Sequence, residues 1–354
     1  MRCRVPASGP GLRRARAALA LVAAATVVIG SQAVARARSD SPIRGYWAPR
    51  SALTSIETIR RALASAQFGG FDTVFVPIPL AESDPLPGFD GVRELIREAR
   101  DRRLRVHAWL DVNRVVVDDE IPASRTHVIY QHPEWLMVPR ALAPHLIAID
   151  PRGPAYLGQL SRWTRANISR VDGLYVSPLD PEAAGYLANL VSTTLKRYVV
   201  DGVYLDGLRF PGSDFDYSRH AMDLFRAHQR PRLSPADRLR LDEIETIDPF
   251  GYASEFPAEW TAFRQTRLTA LVKTLRETLK INGLTVTANV PTDDETAREE
   301  QFQDWRTWVA DRLIDGVGKR NGNSTMILLS TEGALPASST ILPVAGQASA
   351  GGSR

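Results

Sequence analysis

From Arg44 to Val317 the chain alternates short apolar runs with amphipathic stretches, and this β-then-α rhythm commits it to a parallel sheet flanked by helices. Strands are expected at Arg44–Ala48, Thr73–Pro77, Arg105–Leu110, Val203–Leu205, Leu284–Val290 and Leu313–Val317. After the first strand, Thr54 reads as an N-cap with Glu57 three residues on, and Ile56, Ile59, Leu63 and Phe68 line one helical face up to Gly69-Gly70. Further helices are read at Val92–Arg103, Pro181–Tyr198, Glu259–Lys280 and Glu295–Asp311, the last with Trp305 and Trp308 at helical spacing. Two long connections break the rhythm. One runs from Val112 to about Asp180, rich in Pro, His and aromatics, with a helical piece around Tyr156–Ser169; the other, Pro211–Pro257, carries a helix near Arg219–His228. Connections of such length are more often functional than decorative.

The ends differ from this middle. Arg2 to Arg16 holds five arginines and no acid, Ala17–Gly30 is apolar, and Ala33-Val34-Ala35 fits a small-residue cleavage site, so residues 1–35 read as a signal peptide. The apolar stretch is shorter than the roughly 20 residues of a membrane-spanning helix; an uncleaved anchor is the alternative. Those five arginines account for more than the whole formal charge of +4, so the exported chain carries −1 and its basic pI implies neither a nucleic-acid partner nor an anionic membrane surface. Cys3 is the sole cysteine and lies in the leader, which excludes disulfides and thiol chemistry from the exported protein. Residues 36–43 form a linker, and residues 318–354 turn to Ser, Ala, Gly and Pro around one apolar run, Met326–Leu329.

Five runs occur in order: Arg44-Gly45-Tyr46-Trp47, His107-Ala108-Trp109-Leu110-Asp111, His132-Pro133-Glu134-Trp135, Asp201–Pro211 with Asp214-Phe215-Asp216-Tyr217 behind it, and Gln303-Asp304-Trp305. Together they resemble the bacterial glycosyl-hydrolase-like family 10, which is distinct from the family 10 xylanases. The resemblance covers roughly Arg44 to Val317 and implies an exported (β/α)8 TIM barrel acting on glycans; some members are similar to enzymes that cut peptidoglycan strands stripped of their peptides. Family members continue from the sixth strand through a Pro-Met-x-Tyr type segment into two more strand–helix units. This chain reads Gly316-Val317-Gly318-Lys319-Arg320 instead, so the last two β/α units are expected to be missing or replaced, as by a truncated or shifted reading frame. Six strands do not close an eight-stranded barrel, and two open parallel edges would follow.

In parallel α/β folds chemistry is done at the C-terminal edges of the strands. The run D-G-V-Y-L-D-G-L-R-F-P from Asp201 to Pro211 brings Asp206 and Arg209 to such an edge, and glycoside hydrolysis commonly needs two carboxyl groups about the scissile bond. Asp206 is the first choice for nucleophile or base, with Arg209 placed to hold it ionised. For the second carboxyl, Asp111 ends the third strand, Glu255 lies in the second insertion, and Asp293 and Asp294 follow the fifth strand; Asp293 has the edge as acid, although the same cluster reads equally as a helix N-terminus. Trp47, Trp109, Trp135 and Tyr204 are either sugar-stacking platforms or core, and Tyr204 fits the core better. Asn289 is placed to bond a substrate hydroxyl or to cap a loop. His107 reads as a core histidine, and His127, His132 and His145 show no metal-ligand spacing. No phosphate loop and no G-x-S-x-G elbow is present, so nucleotide chemistry and serine hydrolysis have no support, and with no metal-ligand spacing neither metal nor cofactor is expected. The residues by themselves give an exported α/β protein with a polar strand end; the family resemblance implies an exported glycoside hydrolase, against two alternatives: a non-catalytic glycan-binding protein and an inactive truncated barrel.

Overall fold

The computed structural model describes residues 42–80, 88–117, 121–280, 283–291, 293–318 and 324–329. The leader, most of the 36–43 linker and residues 330–354 of the tail therefore lie outside the described residues.

Helix boundaries follow from which backbone N–H groups find a partner. Ser55, not Thr54, caps the first long helix, Ile56–Phe68, through a reciprocal box with Thr58, while Thr54 turns its hydroxyl to the Ser51 carbonyl at 2.9 Å. Ile59, Ala62, Leu63 and Ala66 form its buried face, whereas Phe68 is 84% exposed. Asp90 caps Gly91–Asp101 and Asp180 caps Pro181–Leu195. The helix expected at Glu295–Asp311 is instead two pieces, Thr296–Glu300 and Trp305–Ala310. Between them Phe302 takes a left-handed φ of 57° and buries its ring 5.2 Å from Phe210.

The strands are β1 Ile43–Trp47, β2 Thr73–Pro77, β3 Arg105–Asp111, β4 Arg114–Val117, β5 Gly173–Tyr175, β6 Gly202–Asp206, β7 Thr285–Asn289, β8 Gly316–Gly318 and β9 Ser324–Leu329. Six of them, β1-β2-β3-β6-β7-β8, are parallel neighbours in that order and curl as the α/β rhythm requires. The two edges of this half-barrel are not left open. β9 pairs antiparallel with β8 (Gly316 opposite Leu329) and with β1 (Ile43 opposite Ile327), so one short strand stands where two β/α units were expected and closes the barrel. Closure satisfies both rows of edge hydrogen-bonding groups at once. β4 and β5 form a separate antiparallel pair inside the first insertion, which the sequence pattern did not reveal.

Inside the barrel the filling is aromatic. Ile43, Trp47, Phe75 and Tyr204 are buried together with Trp109 against them; Trp47 stacks on Phe75 at 4.6 Å and meets Trp109 and Tyr204 edge-on, each at 4.8 Å. Gly45 makes room for this packing, because a Cβ there would stand 1.9 Å from the Phe75 ring. The larger apolar cluster lies between the strands' outer faces and the helices.

Acids just ahead of three strands repeat one device at the barrel's N-terminal face. Asp72 accepts the Arg44 amide, Asp201 the Val106 amide and Asp315 the Val286 amide, each from the neighbouring strand, at 3.3, 2.9 and 2.8 Å. Arg276 adds a two-pronged bond to Asp315 at 3.0 and 3.1 Å. In this architecture that face serves stability and the opposite face serves chemistry.

Candidate active site

Three inward-facing polar side chains end neighbouring strands at the C-terminal face: Asp111 on β3, Asp206 on β6 and Asn289 on β7. Asp111 and Asp206 are register partners, so both leave the sheet on one side. Asp206 lies in a cradle of three neutral donors. Trp109 Nε1 donates to its Oδ2 at 2.9 Å, while Asn289 Nδ2 and the Gly207 amide donate to Oδ1 at 2.8 and 2.7 Å. Asn289 is steadied in turn by the buried Gln303, whose amide donates to the Asn289 carbonyl at 3.0 Å. Gly207 has φ +61°, and a Cβ there would meet Asp111 Oδ1 at 3.1 Å, so glycine both permits the turn and keeps the two carboxyls close.

Arg209 does not hold Asp206, contrary to the sequence expectation. Its Nη2 reaches both oxygens of Asp172 at 3.0 Å, and its guanidinium lies 5.4 Å from the Tyr175 ring centre. The left-handed Gly207 sits between the two residues and redirects the chain before Arg209. Asp111 has its own cation: Arg114 donates to Oδ1 from Nε at 3.1 Å and Nη2 at 2.6 Å, and its Nη1 also pairs with Asp172. Tyr175 completes the group by donating its hydroxyl to Asp172 Oδ1 at 2.6 Å.

These neighbours set the charges. Burial pushes Asp111 up to about 6, partly countered by Arg114 and reinforced by the nearby Asp206. Burial works in the same upward direction on Asp172, but Arg209 and Arg114 outweigh it and hold that carboxyl below its ordinary range. For Arg114, burial opposes the charge, yet Asp111, Tyr175, Asp172 and Asp206 raise it well above the usual guanidinium value. Two adjacent carboxyls thus differ in environment, one favouring the proton and one surrounded by donors, the division of labour an acid and a nucleophile require.

A cleft of about 340 Å³ opens over Asp111 and Arg114, lined also by Trp109, Arg50, His127 and Tyr186. Of the aromatics singled out from sequence, Trp109 alone lines it. Trp47 and Tyr204 are 1% and 0% exposed inside the barrel, where no sugar ring reaches, and the Tyr204 hydroxyl donates to the Gly318 carbonyl at 2.9 Å. Trp135 is also buried, stacked 3.8 Å from the His132 ring. Asn289 spends its amide on Asp206 rather than being left for a substrate hydroxyl. Asp293 caps the turn at Thr296, accepting its amide at 2.7 Å, and that backbone bond holds its carboxyl below the ordinary range, the reverse of what an acid needs. Asp294 pairs with Arg306 and Glu255 with Arg240 on the surface. Arg114, Asp172 and Tyr175 were missed, because nothing in their spacing marks them; Arg114 and Tyr175 belong to the β4–β5 pair and Asp172 immediately precedes β5.

Among the described residues no three His, Cys, Asp or Glu side chains are grouped to hold a metal ion, and no helix is long and apolar enough to cross a membrane.

The family model described as Glycosyl hydrolase-like 10 matches residues 81–320. Glycosyl hydrolase DigH of Escherichia coli (strain K12) is 25% identical over 244 residues, 65% of this chain and 45% of that protein. Glycosyl hydrolase YngK of Bacillus subtilis (strain 168) is 25% identical over 149 residues, 39% of this chain and 23% of its own length. The chain thus spans less than half the length of these curated relatives. Among solved structures, the PgaB (BpsB) glycoside hydrolase domain from Bordetella bronchiseptica aligns at a TM-score of 0.46 and 15% identity, over 79% of this chain and 74% of that one.

Proposed function

Since the chain belongs to the Glycosyl hydrolase-like 10 family, we propose that it is an exported glycoside hydrolase that cleaves a polysaccharide with Asp111 as general acid and Asp206 as nucleophile. The observation that carries this reading is the in-register pair at the ends of β3 and β6, one carboxyl pushed up to about 6 and the other cradled by three donors. Neighbouring parallel strands lie about 4.8 Å apart. Side chains leaving the same face at that spacing are nearer the roughly 5–5.5 Å of a retaining pair than the roughly 6.5–9.5 Å that admits an inverting water. Asp111 protonates the glycosidic oxygen as the bond breaks, Asp206 takes the sugar, and water then releases it with Asp111 acting as base. Trp109, on the cleft wall and bonded to Asp206, offers the aromatic face for a sugar ring.

The substrate in this reading is the glycan strand of peptidoglycan. The test is release of soluble fragments from purified peptidoglycan glycan, with and without its stem peptides, and from unrelated glycans in parallel. A soluble, folded chain that releases nothing from any of them sinks the hydrolase reading. A second reading, glycan binding without turnover, is favoured by the single strand that replaces two β/α units and their loops; it requires retention of the glycan with no fragments.

An acid that must carry its proton also fixes the pH dependence. Asp111 is protonated below about 6, so turnover is expected to decline as pH rises through that value, read as kcat against pH. Export is tested by the N-terminus of protein recovered outside the cytoplasm. It should begin at Arg36, after Ala35, and a retained Met1 in that fraction would contradict cleavage.

A further inference from the structure

We propose that Asp172 is a positioning residue which, through Arg114 and Arg209, places a single proton on Asp111. This rests on the reading of Asp111 as the acid. Ion pairs join Asp111, Arg114, Asp172 and Arg209 in a chain, and Asp206, the register partner of Asp111, acts electrostatically on both Asp111 and Arg114, so five charges share one site. Fully ionised, the group carries one negative charge too many. Arg114, Asp111 and Arg209 have side chains only 14%, 15% and 20% exposed while that of Asp172 is 38% exposed, so an uncompensated charge is costliest at the Asp111 end. Taking up one proton makes the group neutral.

The hydrogen bonds choose where that proton goes. Asp172 accepts from two guanidiniums and the Tyr175 hydroxyl, so both its oxygens are engaged by donors. Asp206 likewise accepts on both oxygens, from Trp109, Asn289 and Gly207. The bonds of Asp111 among the described residues all arrive at Oδ1, from Arg114, and its Oδ2 is the acceptor site left for a proton beside the cleft. Burial acts on Asp111 in the same sense. Among the described residues the titratable and charged groups around it are Asp206 from β6, Arg114 from β4, Asp172 just before β5, Tyr175 in β5, Arg209 from the loop after β6, and Arg50 and His127 on the cleft wall.

Asp172 is the pivot because it divides Arg114. Without its charge, Arg114 serves Asp111 alone and the remaining charges balance with no proton bound. Without Arg209, the excess negative charge doubles and the proton is held more tightly. Asp172→Asn is therefore expected to move the Asp111 titration to lower pH and Arg209→Gln to higher pH, each by about one pH unit. The double variant again has one excess charge and should titrate near the wild type. The measurement is a carboxyl-carbon NMR titration of the full chain labelled at aspartate, with Asp111→Asn assigning the signal. Opposite displacements that cancel in the double variant support the proposal. Unchanged titrations, displacements of the same sign, or a double variant that fails to return would overturn it, since lost packing alone moves neither limb in opposite directions. Should Asp172→Asn unfold, the upward displacement in Arg209→Gln decides. The readout needs no turnover: displaced titrations in a chain that releases no glycan fragments would sink the hydrolase reading and leave the proton placement standing.

Discussion

Asp206→Asn is expected to lower kcat by about 10²–10⁴-fold while glycan affinity and melting temperature stay near the wild type. The substitution keeps the shape of the side chain and one oxygen to accept from the cradle. In the proposed reaction it removes the charge that attacks or stabilises the sugar, and with it any covalent intermediate. It also turns an acceptor into a donor facing Trp109 Nε1 or Asn289 Nδ2, which were 2.9 and 2.8 Å away, so one of these bonds is lost. The cost to folding is modest because Asp206 is half-buried at a strand end rather than in the core. The measurement is steady-state turnover of a soluble oligosaccharide beside equilibrium binding of the same ligand. Undiminished turnover would remove Asp206 from the mechanism; retained binding with no turnover in either protein would move the assignment to glycan binding.

Trp47→Ala should have the largest effect on stability, a loss of about 3–5 kcal/mol. Its indole fills the barrel between Phe75, Trp109 and Tyr204 at centroid distances of 4.6–4.8 Å, so truncation leaves a large cavity among aromatic rings. Against a typical total of about 5–15 kcal/mol, this is a large fraction, seen as a fall in Tm on the order of 10 °C by calorimetry. Trp109→Phe separates packing from chemistry. It keeps an aromatic ring against Trp47 but removes the indole N–H from Asp206, so activity should fall far more than Tm does. A Trp47→Ala protein that melts like the wild type would mean the barrel interior is not packed as described.

The strand ends were legible because their signals are local. Thr73–Pro77 is a β-branched and aromatic run bounded by turn residues, and it forms β2 with those limits. The D-G-V-Y-L-D run places Asp206 at the end of β6 because alternation fixes which side chains face inward. Other features depend on contacts distant in sequence. Asp172 meets Arg209 across 37 positions and Arg114 across 58, so no spacing rule connects them. Asp293 carried two readings because a carboxyl after a strand and a carboxyl at a helix start look alike until the Thr296 amide is seen bonded to it.

The closing strand illustrates the same division. Met326–Leu329 reads as a lone apolar run in low-complexity surroundings, and its value lies in two partners, β1 and β8, separated by most of the chain. By itself, the sequence determined an α/β chain with parallel strands, an acidic strand end and the Glycosyl hydrolase-like 10 pattern, since periodicity and turn chemistry act over a few residues. Only the tertiary structure decided that the sheet closes, that Arg209 serves Asp172 rather than Asp206, and that Asp111 is buried beside Arg114. Closure, charge balance and burial are properties of groups brought together in space, and they come into being when the barrel forms.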